Sequence, residues 1–313
     1  MKDLTILVVG GAGFIGSHVN KMLYQAGYQT IVLDNLSRGY REAVQYGTFI
    51  EGDLADTATL HYIFETHAID AVMHFAAFID VGESIKNPAK YYLNNVSHTL
   101  NLLMAMLRYD VKIFIFSSTA AIFGNPLQPS INESHPCCPI NPYGETKWMV
   151  EKMLHDFEIA YGLKFCCLRY FNAAGGDPEG KIKNYQIHTH NLIPRILLSL
   201  RKPDGLVTIN GTDYPTFDGT CIRDYIHIED LGTAHILAME QLLSGFPSNY
   251  YNLGNGQGFS IRQVIQATEK ILGKKVQVVE GPRRPEDPAF LLADPSKAAR
   301  ELNWRPRYSL EEM

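Results

Sequence analysis

The chain has 313 residues and a net charge of −5, with 46% hydrophobic and 19% charged residues, the balance of a globular protein with room for a sizeable core. It has no basic block or tail, which argues against nucleic acid as a main partner, and no apolar run of membrane-spanning length. Its start, Met1-Lys2-Asp3-Leu4, enters a short apolar stretch that soon meets a glycine loop and does not read as a signal peptide. The five cysteines, Cys137, Cys138, Cys166, Cys167 and Cys221, are odd in number and lack a C-x-x-C spacing. That argues against a disulfide framework or a zinc site and for a reducing, cytoplasmic setting.

Thr5-Ile6-Leu7-Val8-Val9 is short, continuous and β-branched, the pattern of a buried parallel strand. Gly10-Gly11-Ala12-Gly13-Phe14-Ile15-Gly16 follows at once and passes into a helical pattern. Glycines at 10, 13 and 16 suit a tight turn, close approach of a pyrophosphate and close helix–strand packing, with the phosphates at the helix N-terminus. The spacing is G-x-x-G-x-x-G rather than G-x-G-x-x-G. A second strand, Thr30-Ile31-Val32-Leu33, ends in Asp34. An acid there, about 20 residues past the glycines, suits the hydroxyls of an adenosine ribose and repels a 2′-phosphate. NAD is therefore expected over NADP, with Arg38 as a nearby cation that argues the other way.

A third strand near Thr48-Phe49-Ile50-Glu51 leads to Gly52-Asp53-Leu54, where Asp53 suits either an adenine amino group or a helix N-cap. Ala71-Val72-Met73-His74-Phe75 is the fourth strand, and the small pair Ala76-Ala77 lets a cofactor lie against the backbone. His74, inside that strand, reads as a core histidine rather than a catalyst. A long helix is expected over residues 88–108 and carries Asn94. The fifth strand, Val111-Lys112-Ile113-Phe114-Ile115-Phe116, ends in Ser117-Ser118-Thr119, hydroxyls at the carboxyl end where such sheets bind ligands.

Asn141-Pro142-Tyr143-Gly144-Glu145-Thr146-Lys147 opens the next helix, with Asn141 to cap it and Pro142 in its first turn. Tyr143 and Lys147, four apart, project from one face. Alone, such a pair is most often a solvated helix face. Beside a dinucleotide it has chemistry: a free phenol titrates near 10, and both a lysine ammonium and a cationic nicotinamide ring favour the phenolate. A shift of about three units, roughly 4 kcal/mol, makes Tyr143 a proton acceptor near neutral pH.

Lys164-Phe165-Cys166-Cys167-Leu168-Arg169 is a further strand, with Cys166 and Cys167 as core filler. The alternation predicts an α/β protein, a doubly wound parallel sheet of Rossmann type over residues 1–174. Residues 175–313 change texture, mixing short helices, turns and proline, and are expected to form mostly a smaller α/β substrate domain. Segments near 220–256, Tyr250-Tyr251-Asn252-Leu253 above all, are expected to return to the main sheet. Arg223, Arg283 and Arg284 are candidate anion clamps, because arginine forks match phosphate geometry.

These pieces together resemble the extended short-chain dehydrogenase/reductase family, and within it the UDP-hexose 4-epimerases, from residue 4 to the end. Besides the glycine loop and the 141–147 run, the resemblance rests on Asp34-Asn35-Leu36, His74-Phe75-Ala76-Ala77, Val81-Gly82-Glu83-Ser84, Ser117-Ser118-Thr119, Arg169-Tyr170-Phe171-Asn172-Ala173-Ala174-Gly175, residues 213–227 and Arg283-Arg284-Pro285-Glu286-Asp287. The glycine loop and the Tyr–Lys pair fit the whole superfamily; the 213–227 block picks out the epimerases. The resemblance implies tightly bound NAD lined by Phe14, Ile15, Asp34, Asn35, Asp53, Leu54, Phe75, Ala76, Ala77, Asn94, Lys147 and Phe171. It makes Tyr143 the base and Thr119 its hydroxyl partner at the sugar O4. Asn172, Asn191, Leu192, Thr208, Tyr214, Arg223, Arg284 and Asp287 would hold the uridine diphosphate or the sugar, Thr208 and Tyr214 being the weakest matches. The implied reaction is reversible 4-epimerisation of UDP-glucose and UDP-galactose: oxidation at C4, rotation of the 4-ketose about its phosphate bonds, and reduction on the opposite face. A homodimer through helices 88–108 and 141–161 is implied in the same way.

The sequence departs from the family pattern at three places. Ile79 stands where a lysine is frequent, so one cofactor contact is lost or replaced. Glu286 stands where a glycine is common and is expected to bend the Arg284–Asp287 loop. Leu291 occupies the position that gates an N-acetyl group, and its intermediate size leans to exclusion of UDP-GlcNAc and UDP-GalNAc. A nucleotide-sugar dehydratase needs an acidic pair after the hydroxyl residue, whereas Thr119 is followed by Ala120-Ala121. A UDP-xylose/UDP-arabinose epimerase shares the constellation. A catalytically silent NAD-binding protein need not keep both Tyr143 and Lys147, and both are present.

Overall fold

A computed structural model describes residues 3–183, 191–284 and 287–313. The first half runs β1 Thr5–Val9, α1 Phe14–Gln25, β2 Gln29–Asp34, β3 Thr48–Glu51, α2 Thr57–Thr66, β4 Ile69–His74, α3 Val81–Lys86, α4 Pro88–Tyr92, α5 His98–Arg108, β5 Ile113–Thr119, β6 Ser130–Ile131, α6 Pro142–Tyr161 and β7 Lys164–Tyr170. The second runs β8 Asn172–Ala174, α7 Leu192–Ser199, β9 Leu206–Asn210, β10 Ile222–His227, α8 Ile228–Leu243, β11 Asn249–Leu253, β12 Gly258–Ser260, α9 Ile261–Leu272, β13 Gln277–Gly281, β14 Phe290–Ala293 and α10 Ser296–Glu301.

Seven parallel strands form the main sheet in the order β11-β7-β5-β4-β1-β2-β3. It is the doubly wound α/β arrangement that the alternation predicts. Side chains alternate across a strand, so Ile6 and Val8 enter one core with α1 and α8, while Leu7 and Val9 enter the other with α2, α5 and α6. Each such aliphatic side chain contributes about 1.5–3 kcal/mol on full burial. The strand order turns at β1, flanked by β2 on one side and β4 on the other, and a crevice opens at the carboxyl ends there.

Of the 220–256 segment, β11 lies beside β7 in the main sheet and α8 packs with α1. Strand β10 instead belongs to a second sheet, ordered β12-β10-β14-β6 with β8 paired to β10. Strand β8 starts two residues after β7 ends, and pairing with it draws β10 out of the main sheet. The helix expected over 88–108 is present from Pro88 to Arg108, with one π-helical turn at Leu93–Ser97 between α4 and α5. Asn95 explains the widened turn, since its amide serves Phe78 N, Phe78 O and Thr146 Oγ1. Glu286 and its expected bend lie outside the described residues. Among the described residues no helix is long and apolar enough to cross a membrane. Cys166 and Cys167 are buried in β7 with free thiols.

Candidate active site

Gly10 leaves β1 with φ at +79°, and a Cβ there would stand 2.5 Å from the backbone nitrogen of Ala76, so only glycine fits. Gly16 packs as tightly on the Gly10 carbonyl. Gly13 caps α1 and has no side chain to satisfy the first amides of the helix. Those amides, with the positive end of the helix dipole, make an anion site where the loop meets the crevice.

Gly10, Gly13, Asp34, Asn35, Asp53, Leu54, Phe75, Ala76, Ala77 and Asn94 line one cleft at the turn in strand order. Ser37, Gly39 and Phe78 line it too and carried no motif; the usable signal was the turn-like Ser37-Arg38-Gly39 directly after β2. Asp34 is pinned by the glycine loop: Oδ2 accepts from Ala12 N at 2.9 Å and Oδ1 from Leu36 N at 2.8 Å. Burial pushes its carboxyl up from the ordinary value, against those two hydrogen bonds. Each oxygen retains a lone pair for a ligand hydroxyl. Asn35 Nδ2 donates to Asp53 Oδ2 at 2.5 Å, and Asp53 Oδ1 accepts from Ala55 N at 2.8 Å. The N-cap of α2 is Asp56, not Asp53. The Arg38 guanidinium reaches Glu83, with Nη2 3.4 Å from Oε2, which weakens the case for a 2′-phosphate. Phe14 and Ile15 pack into the core under the loop, and Ile79 is 60% exposed.

Asn141 Oδ1 accepts from Gly144 N at 2.9 Å and Pro142 opens α6, as the sequence predicts. Thr119, the last residue of β5, stands beside the Tyr143 phenol and draws its pKa down, and its Oγ1 accepts from Ala121 N at 3.1 Å. Lys147 is 3% exposed; its Nζ donates to the Ser117 carbonyl at 2.8 Å and lies 4.7 Å from the Phe116 ring centre. Burial pushes the ammonium down to about 7, against the pull of the Glu151 carboxylate.

The sequence expects a lysine ammonium and a cationic nicotinamide ring together to favour the Tyr143 phenolate. In the chain alone burial raises Tyr143 above its ordinary value, and the Thr119 hydroxyl opposes the rise. Four residues on a helix place both groups on one face, and the Lys147 amine is held by the Ser117 carbonyl of β5.

Arg223 and Asp287 stand together, with Nη2 3.3 Å from Oδ1, while Arg223 Nη1 donates to the carbonyls of Ile222 and Pro288 at 2.9 and 2.8 Å. Arg223 sits opposite Leu291 in the β10–β14 pairing. Leu291 and Phe171 pack on Ala120, Ile122 and Phe123, immediately after Thr119. Pairing of β14 with β10 and β6 thus brings the C-terminal half against the turn after Thr119. Asn172 has spent one amide hydrogen on Asp224 O at 2.8 Å. Tyr214 is buried with Arg283 4.3 Å over its ring, and Arg283 is itself tied to Asp213 at 2.6 Å, so it is no open clamp. Arg284 is exposed and donates to the Asn210 carbonyl oxygen at 3.0 and 3.3 Å, with the Asn210 amide oriented to satisfy both groups. Asn191 is the N-cap of α7 and Leu192 its first residue; Thr208 lies on β9 opposite Val279.

The donor set fits a dinucleotide: strained glycine backbone and open helix amides for the diphosphate, and a fixed carboxylate at the end of β2 for a ribose.

The sequence profile of the NAD dependent epimerase/dehydratase family matches residues 6–254. A protein of Halalkalibacterium halodurans named UDP-glucose 4-epimerase is 50% identical over 311 residues, 99% of this chain and 93% of its own length. The crystal structure of UDP-glucose 4-epimerase from Brucella ovis in complex with NAD matches with a TM-score of 0.95 at 46% identity, over 99% of this chain and 95% of that one. The structure of the UDP-Glc/GlcNAc 4-epimerase from Campylobacter jejuni matches with a TM-score of 0.86 at 42% identity, over 98% and 96%.

Proposed function

The chain belongs to the NAD dependent epimerase/dehydratase family, and from that premise we propose that it interconverts UDP-glucose and UDP-galactose by epimerisation at C4. Its cofactor is NAD, which supplies the hydride acceptor and donor at the sugar carbon. The observation that carries the reading is the constellation at the end of β5: the half-buried Tyr143 phenol beside the buried Thr119, with buried Lys147 one helical turn away. Tyr143 accepts the proton of the substrate 4-hydroxyl and later returns it. Thr119 orients the phenol and the sugar oxygen, and Lys147 with the cofactor's charge brings the phenol toward neutral pH. The Arg223–Asp287 pair, Arg284 and Asn172 hold the uridine diphosphate, leaving the sugar few fixed partners. Binding energy placed on the non-reacting diphosphate lets the oxidised sugar present either face.

Leu291 stands beside the turn after Thr119 and narrows the sugar pocket, so acetamido sugars are poor substrates in this reading. Leu93 in the π-helical turn and Leu100 and Met104 on α5 are exposed and suit a second copy of the chain, giving a homodimer. The test is incubation of purified protein with UDP-galactose and identification of the product, with Tyr143→Phe as control. UDP-glucose is expected from the unsubstituted protein, and a rate lower by about 10²-fold or more from the variant. Full activity in Tyr143→Phe rejects the assigned base.

A further inference from the structure

Glu151 lies one helical turn beyond Lys147, on the face of α6 that carries Tyr143 and Lys147, and is fully buried. Two neighbouring strands hold its carboxylate. Ser118 Oγ on β5 donates to Oε1 at 2.5 Å; Arg169 on β7 donates from Nε to Oε1 at 3.0 Å and from Nη2 to Oε2 at 2.6 Å. Ser118 and Arg169 are register partners. The Arg169 guanidinium rests against the rings of Phe123 and Tyr250, 5.5 and 4.6 Å from their centres. Thr119 and Tyr170 form the next register pair, and Ser117, one residue back, bonds Lys147. The clamp is therefore within one residue of both catalytic contacts.

Stability alone explains such a pair poorly, since apolar replacement of a buried ion pair is often neutral or stabilising. We propose that Glu151, gripped by Ser118 and Arg169, is a positioning residue: it fixes α6 against the ends of β5 and β7 and supplies the negative charge that keeps Lys147 an ammonium. In its effect on turnover this rests on the 4-epimerase reading. Lys147 is faced by Glu151 from its own helix, by Cys167 from β7 and by His74 from β4. Burial holds the Cys167 thiol high and His74 low, so both are neutral near pH 7. The turn at 93–97 meets α6 through the uncharged Asn95 at Thr146. Arg169 on β7 brings the opposite charge but is engaged by the Glu151 carboxylate, so Glu151 is the neighbour whose charge favours the ammonium, and burial is what opposes it.

Glu151→Gln keeps the shape and the acceptor for Ser118 but removes the charge. The double variant Glu151→Leu/Arg169→Met removes both charges and avoids an orphaned arginine. The Cε signal of Lys147 in 13C NMR, assigned by its loss in Lys147→Met, reports the titration in each folded protein. Its midpoint is expected to fall by about one unit or more in Glu151→Gln, which leaves the Arg169 charge uncompensated, and by less in the double variant, with kcat lower by about tenfold or more in Glu151→Gln and KM for the UDP-hexose within about twofold. An unmoved midpoint in either folded variant, or an unmoved kcat in Glu151→Gln, overturns the proposal. Absence of turnover in the unsubstituted protein refutes the epimerase reading instead, and the Lys147 titration still decides this one.

Discussion

Replacing Lys147 by methionine should make the protein more stable in mild acid and less stable in alkali. Burial moves the amine from an ordinary value of 10.5 down to about 7. Below pH 7 both the folded and the unfolded chain carry the proton, so the penalty of the buried charge is present in full. Between about 7 and 10.5 only the unfolded chain binds it, and stability rises with pH by about 1.4 kcal/mol per unit, roughly 5 kcal/mol in all. Methionine has similar reach and no charge, so Lys147→Met removes that penalty. It also leaves the buried Ser117 carbonyl without its 2.8 Å donor, at a cost of about 1–3 kcal/mol. The balance is a variant more stable by roughly 2–4 kcal/mol at pH 6, with the order reversing between about pH 8 and 10. Urea unfolding followed by circular dichroism at pH 6, 8 and 10, at fixed NAD, reads this directly. The midpoint difference at pH 6 is on the order of 1 M or more. A variant less stable at every pH, or an unsubstituted protein whose stability does not rise between pH 7 and 9, refutes the assignment of a strained buried ammonium.

Gly10→Ala forces a left-handed φ on a residue with a Cβ and drives it into the Ala76 backbone; melting should fall by about 1–3 kcal/mol and bound NAD should drop out, whereas normal melting with normal NAD content contradicts the account of the loop. His74 and His235 are buried and held down to about 3 and about 4 by desolvation. Each has its ordinary protonation only in the unfolded chain, so stability is lost as pH falls below about 6.5, by about 2 kcal/mol per histidine at pH 5. Denaturation midpoints equal at pH 7 and pH 5 rule this out. Leu291→Ala should narrow the preference for UDP-glucose over UDP-GlcNAc by about 10- to 100-fold in kcat/KM, and an unchanged ratio removes Leu291 from the sugar pocket.

Local chemistry is what the sequence conveys well. The β1–glycine loop–α1 unit, the acid at the end of β2 and the Asn141–Pro142 start of α6 each depend on neighbours within a few residues, and each is found where the pattern places it. Features that depend on distant partners are hidden. The π-helical turn within the 88–108 helix carries Asn95, whose amide serves Phe78 and Thr146, neither of which the helical periodicity contains. Strand β10 leaves the main sheet because β8 and β14 compete for it, a contest between segments far apart in the chain. The Glu151–Arg169 pair spans 18 residues and two elements, and neither member falls in a motif that marks a partner. The burial that raises Tyr143 is hidden in the same way: four-residue spacing gives the face, but the depth of burial and the Ser117 partner of the Lys147 amine belong to the packed structure.

One measurement bears most directly on catalysis by a phenol beside a retained dinucleotide. The purified protein, with no NAD added, is given UDP-galactose in deuterium oxide, and the sugars are followed by NMR to equilibrium. UDP-glucose should form with ordinary hydrogen still on C4, because that hydrogen returns from the cofactor while Tyr143 handles only the hydroxyl proton. Deuterium at C4, or no UDP-glucose even after NAD is supplied, contradicts the account.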